Sequence, residues 1–286
     1  MAMLRPRAPR LRNLPLNSLA PNILTTLALC SGLTSIRFSL AERWQLAVVA
    51  ILVAAIFDAL DGRLARLLKG TTKFGAELDS LSDFLCFGVA PVLLMYLWTL
   101  ESLGNFGWLA VLAFAVACAL RLARFNTALD EPDKPVWMSN FFTGVPAPMG
   151  AALALLPMML TFAVGDGLFR SPYLIFFWCI CVGFLMVSRI PTFSGKKIKV
   201  RRDYVLPLLF LVGVLGTLLA TEPWITLSVI LVGYLCLMPL GVRSYRRQQI
   251  MEPWPRKAAN EGVAANADEG DEELDGVPPN SQNRLR

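Results

Sequence analysis

Asp58, Asp61, Asp79 and Asp83 fall within one 26-residue stretch of a chain that is otherwise strongly apolar. Asp58 and Asp61 stand three apart and Asp79 and Asp83 four apart, so on helices each pair shares a face. Greasy runs flank them, residues 46–57 before and 84–100 after, with Gly70, Thr71, Thr72 and Gly75 in the connection. That connection is short enough to make the two helices neighbours, and both pairs then converge on one cleft. Four carboxylates gathered there need a cation among them.

Three kinds of chemistry are open to such a cluster. The aspartates could cap helices and pair with Arg63, Arg66, Lys69 and Lys73 of the same connection, although two face-matched pairs are more order than solvated ion pairs require. They could mark a cation or proton route, although the outer halves of the other apolar runs carry almost no ionisable residue to continue one. Or they could hold divalent metal. Oxygen-only ligands suit Mg²⁺ or Mn²⁺, and two such ions about 4 Å apart clamp phosphoryl groups. Gly62 would then let a phosphate approach the backbone closely, and Arg66 would offer it a bidentate fork. This third reading uses the most residues.

Other chemistries are excluded or unsupported. The chain has no histidine, which removes imidazole acid/base catalysis, Ser–His triads and His-based zinc sites. Its six cysteines form no C-x-x-C pair and lie in apolar runs, as free buried thiols do. Gly70 and Gly75 have the glycine spacing of a P-loop, but Ala76 and Glu77 stand where Lys and Ser/Thr are needed.

The elements that must position the aspartates are membrane spans. Of 286 residues, 55% are hydrophobic and 17% charged, and the mean hydropathy is +0.54. Such values fit an all-α, polytopic helix bundle rather than a soluble domain. Eight apolar runs approach the length of a bilayer crossing, at about 20–38, 44–62, 78–100, 105–125, 143–164, 171–189, 203–220 and 223–241. The first follows a basic start and could be a cleaved leader ending near Ser39-Leu40-Ala41, but its long preamble and polar interruptions favour a retained span. Of the 27 Lys and Arg residues, 24 fall in 1–20, 61–74, 121–140, 189–202 and the stretch from 242. By the positive-inside rule both termini are cytoplasmic, the span number is even, and the aspartates lie at the cytoplasmic boundary. Residues 1–19 form a basic segment, 20–241 the membrane domain, and 242–286 a polar tail with blocks of charge, expected to be disordered. The net charge of +6 suits anionic lipid headgroups, and nothing calls for nucleic acid.

With the residues in that setting, a family likeness is legible. Asp58-x-x-Asp61-Gly62-x-x-Ala65-Arg66, followed after eight residues by Gly75-x-x-x-Asp79-x-x-x-Asp83, resembles the signature of the CDP-alcohol phosphatidyltransferases at every fixed position. The resemblance implies transfer of a phosphatidyl group from a CDP-linked lipid to an alcohol, with release of CMP and with Mg²⁺ or Mn²⁺ at the aspartates. It implies Asp58, Asp61 and Asp79 as the principal metal ligands. Asp83 would lie beside the metal as a further ligand and as the general base. Gly62, Ala65, Arg66 and Gly75 would shape the CDP-lipid pocket.

Further stretches are similar to the membrane-integral phosphatidylserine synthases of this family over roughly residues 15–240. They are Pro21-Asn22-Ile23-Leu24-Thr25, Leu120 to Asn126, Phe142-Thr143-Gly144-Val145-Pro146-Ala147-Pro148 and Ile190 to Lys197, with Val145 standing where that subgroup more often has leucine. This implies CDP-diacylglycerol and L-serine as substrates, a bacterial inner membrane and a homodimer. Glycerol 3-phosphate, inositol phosphate and choline are the alternative acceptors. Arg121, Arg124, Asn22 and Lys196 are the candidate contacts to serine or phosphate, since a carboxylate-bearing acceptor fits an arginine fork. The two prolines of the 142–148 stretch are expected to shape a helix start.

Overall fold

In a computed structural model, residues 16–68, 70, 72–129, 141–188, 190–193 and 204–251 are described. Each of the eight apolar runs is helical. Helices α1 (Leu16–Leu40) and α2 (Trp44–Leu67) come first. Helices α3 (Lys73–Asp83) and α4 (Ala90–Trp98) follow, joined by a π-helical segment (Phe84–Val89) into one rod. Next are α5 (Asn105–Leu129), α6 (Ala147–Val164) and α7 (Pro172–Val187). Helices α8 (Val205–Thr221) and α9 (Pro223–Met251) complete the set. Six of these rods are long and apolar enough to cross a membrane, and the chain is an integral membrane protein. The other two, α7 and α8, are apolar but have 16 and 17 residues.

Two boundaries differ from the hydropathy reading, each for a local reason. The third rod begins at Lys73 rather than near 78, because the Thr72 hydroxyl accepts the Gly75 N–H at 3.0 Å and caps a polar first turn. The fifth run begins its helix at Ala147 rather than 143. Residues Phe141–Thr143 (β1) instead pair antiparallel with Pro191–Phe193 (β2), with Phe142 opposite Thr192. Pro146 in extended geometry and Pro148 in the first turn then start α6, as expected of the two prolines. This ribbon is a small non-helical exception in an otherwise helical fold. It ties the connection after α5 to the one after α7.

Gly144 makes the junction of ribbon and helix. Its φ is +81°, and its N–H donates to the Ile190 carbonyl at 2.9 Å. A Cβ there would stand 2.6 Å from the Met186 carbonyl oxygen and 2.8 Å from that of Ser188. Gly144→Ala is therefore expected to cost about 1–3 kcal/mol through left-handed strain and this collision. A lowered Tm of the detergent-solubilised protein checks it.

The hydrophobic core lies among α4, α5, α6 and α7, around Leu94, Met95, Phe114, Leu153, Leu155, Met158, Ile175 and Met186, all fully enclosed. At the edge of that core, α1 runs along α2 and also packs against α3. The two carboxylate-bearing helices meet through their side chains, and α1 packs against both. The described residues up to Val242 form one compact unit. Helix α9 continues past residue 242 to Met251, through Arg and Gln residues that favour helix. Residues 252–286, the basic segment 1–15 and Lys196 lie outside the described residues.

Candidate active site

The last turns of α2 and the whole of α3 carry the aspartates. One carboxylate oxygen each from Asp58, Asp61 and Asp79 falls within 4.8 Å of the others, close enough to share a cation. The carboxyl groups of Asp58 and Asp83 are hydrogen-bonded to each other. Asp83 therefore borders the three-oxygen group without belonging to it. The structure brings together all four aspartates that the sequence singled out.

Among the described residues the loop cations Arg63, Arg66 and Lys73 do not neutralise them, and Lys69 lies outside the described residues. Among the described residues no Lys or Arg forms a salt bridge with any of the four, and the ion pair that does form joins Arg170 and Asp166. Arg63, Arg66 and Lys73 are exposed. Three close carboxylates without a basic partner fit a divalent cation, and the donor set of oxygens alone fits Mg²⁺ or Mn²⁺. Beside them, a Cβ built on Gly62 would meet nothing within 4 Å, so the backbone there faces open space. Ala65 is half-buried one turn further on.

Gly75 answers a different need. A Cβ at this position would stand 2.7 Å from Asn22 Oδ1 and 3.1 Å from Thr72 Oγ1. The glycine thus lets the first turn of α3 close against α1. Asn22 is placed at that contact.

The end of α5 supplies the cationic side. Arg121 is 9% exposed, interacts electrostatically with Asp83, and keeps a buried Nε with no hydrogen-bond partner. An orphaned guanidinium donor in a closed place is costly unless an anion reaches it. Arg124, three residues on, is engaged elsewhere. It donates from Nη1 to the Val187 carbonyl at 2.8 Å and from Nη2 to that of Ser188 at 3.4 Å. These are terminal carbonyls of α7, where a cation also meets the negative end of the helix dipole. Asn126 Nδ2 donates to Ser80 Oγ at 2.9 Å, tying α5 to α3. One helix end thus makes three separate attachments.

Sequence reasoning missed Thr25. Its hydroxyl donates to Asp61 Oδ2 at 2.5 Å, from a helix well separated along the chain. The Pro-Asn-x-x-Thr stretch was visible, but spacing alone could not aim its hydroxyl at a carboxylate on α2.

Comparison with known proteins agrees with this geometry. Residues 18–235 match the CDP-alcohol phosphatidyltransferase family. Three relatives carry the name CDP-diacylglycerol–serine O-phosphatidyltransferase. That of Mycobacterium tuberculosis is 37% identical over 254 residues, covering 88% of this chain and 87% of the relative. That of Mycobacterium leprae is 37% identical over 242 residues, covering 85% and 79%. That of Helicobacter pylori is 34% identical over 226 residues, covering 78% and 91%. With the aspartate cluster built between two spans and this match running across nearly the whole described helix set, the chain belongs to the CDP-alcohol phosphatidyltransferase family.

Proposed function

We propose that this protein transfers the phosphatidyl group of CDP-diacylglycerol to L-serine, giving phosphatidylserine and CMP. The observation that carries this reading is the group of three carboxylate oxygens within 4.8 Å, with no basic partner among the described residues. It lies beside a buried arginine that has a donor to spare. The names of the mycobacterial and Helicobacter relatives support serine as the acceptor.

Asp58, Asp61 and Asp79 would hold Mg²⁺ or Mn²⁺, which when bound supplies charge neutralisation for a diphosphate and its leaving group. Asp83 takes the proton of the serine hydroxyl. The hydroxyl oxygen then bonds to the phosphatidyl phosphorus as the diphosphate P–O bond breaks and CMP departs. Gly62, Ala65 and Arg66 border the CDP-lipid pocket, with Gly75 letting α3 close on Asn22. Lys196 is a further candidate contact to serine or phosphate. Arg121 receives the serine carboxylate, whereas Arg124 holds the end of α7 and serves the site through the fold. The membrane domain spans residues 20–241 with eight crossings, both termini and the site at the cytoplasmic face of a bacterial inner membrane, and the working unit is a homodimer.

Purified protein offered labelled serine, glycerol 3-phosphate, inositol phosphate and choline in turn tests the acceptor. Lipid-soluble label is expected from serine, and label from another alcohol instead would reassign it. In the same assay Arg121→Ala is expected to raise the serine KM about 10–100-fold, the loss of one charged hydrogen-bonded contact. The CDP-diacylglycerol KM should move little. An equal rise in both would place Arg121 in the fold rather than at the acceptor.

A further inference from the structure

We infer that Thr25 is the positioning residue of the carboxylate group, a bracket on α1 that fixes Asp61 and sets its distance from α3. The inference rests on the metal-site reading above. Thr25, Asp61 and Ser82 are 4%, 4% and 3% exposed, so the three meet away from solvent. The Thr25 hydroxyl lies 2.5 Å from Asp61 Oδ2 and 3.1 Å from the Pro21 carbonyl. It has one proton, and the carboxylate is the stronger acceptor at the shorter distance.

The same residue reaches the opposite helix. Its main-chain carbonyl accepts the Ser82 hydroxyl at 3.3 Å, and Ser82 sits between Asp79 and Asp83 on α3. One turn further along α1, the Ala28 carbonyl accepts the Cys86 thiol at 3.3 Å. Beyond it, a Cβ on Gly32 would meet Cys86 Sγ at 2.6 Å. Residues 25, 28 and 32 recur on one face of α1, and 82 and 86 on one face of the α3 rod. Small side chains let the two backbones close along this seam.

Thr25 bonds Asp61 on α2 through its hydroxyl and Ser82 on α3 through its carbonyl, so α1 ties the two helices together beside the direct meeting of Asp58 and Asp83. Free rotation of the Asp61 carboxylate would spread the three oxygens that lie within 4.8 Å. Ligands oriented by an outer hydrogen bond lose roughly 10–100-fold in metal affinity when it is removed. No carboxylate, lysine or arginine on α1 competes for this role over residues 16–36, where the helix is uncharged.

The test is Mn²⁺ binding to the full chain in detergent, read by electron paramagnetic resonance, with Tm followed in parallel. Thr25→Ala and Thr25→Ser shorten the side chain alike and differ only in the hydroxyl, and Thr25→Val keeps the shape without it. Mn²⁺ affinity is expected to fall about 10–100-fold in the Ala and Val variants and to stay within about threefold in the Ser variant. At saturating Mn²⁺ the Ala variant should recover most of its turnover. Equal losses in Ala and Ser, or no loss in either Ala or Val, would overturn the inference and leave Thr25 a packing residue. Asp58→Asn separates the two levels of the argument. If it binds Mn²⁺ like the unaltered chain, the metal reading fails and this inference with it. If it loses Mn²⁺ while Thr25→Ala does not, the inference alone fails.

Discussion

Asp83→Asn is expected to lower CMP release by about 10²–10⁴-fold, the range a positioned general base contributes, while CDP-diacylglycerol binding stays within a few-fold. The geometry separates the two effects. Asp83 stands outside the three oxygens that can share a cation, and its carboxyl group meets Asp58 in a hydrogen bond. Asparagine is nearly isosteric and can donate to Asp58, so the local arrangement survives. It cannot accept a proton from the serine hydroxyl. Equilibrium binding of the labelled lipid and single-turnover CMP release, measured on the same preparation, distinguish the outcomes. Loss of lipid and Mn²⁺ binding together would make Asp83 principally a metal ligand.

Asp79→Asn is expected to behave in the opposite way, losing Mn²⁺ binding and turnover together. Removing an outer partner of a metal ligand costs roughly 10–100-fold in affinity, so removing the ligand itself should cost more than about a hundredfold. Asp79 is the contribution of α3 to the oxygen group, while Asp58 and Asp61 both come from α2. Without it the remaining ligands lie on one helix and the cleft between the helices is no longer bridged. Excess Mn²⁺ should rescue a Thr25 variant but not this one. Mn²⁺ titration followed by CMP release checks both, and normal affinity in Asp79→Asn would remove α3 from the metal set.

Much of this was legible before any coordinates. Apolar run lengths located each long helix among the described residues, because an apolar segment in a membrane must satisfy its backbone internally and helix is the way a single segment does so. The three- and four-residue spacings put the aspartates on shared faces, and the structure gathers them. What spacing could not convey was depth and partner. Arg121 and Arg124 sit three apart on α5, yet one faces Asp83 and the other is spent on α7 carbonyls. Nor did hydropathy distinguish the strand of Phe141–Thr143 from the helix after it, since its apolar residues suit either. The role of α1 beside α2 and α3 was equally hidden. A short connection implies neighbours, as the gathered carboxylates of α2 and α3 are, but the part α1 plays in joining them depends on long-range contacts such as Thr25 to Asp61.

The central claim is that this carboxylate cleft joins a CDP-lipid to an alcohol rather than merely binding cations or hydrolysing the lipid. The most direct measurement is CMP release by the purified protein in mixed micelles of CDP-diacylglycerol with Mn²⁺, with and without L-serine. Release that requires serine, is abolished by chelation and matches phosphatidylserine formed one for one is the predicted result. No release with any alcohol, or release at the same rate without one, would contradict it.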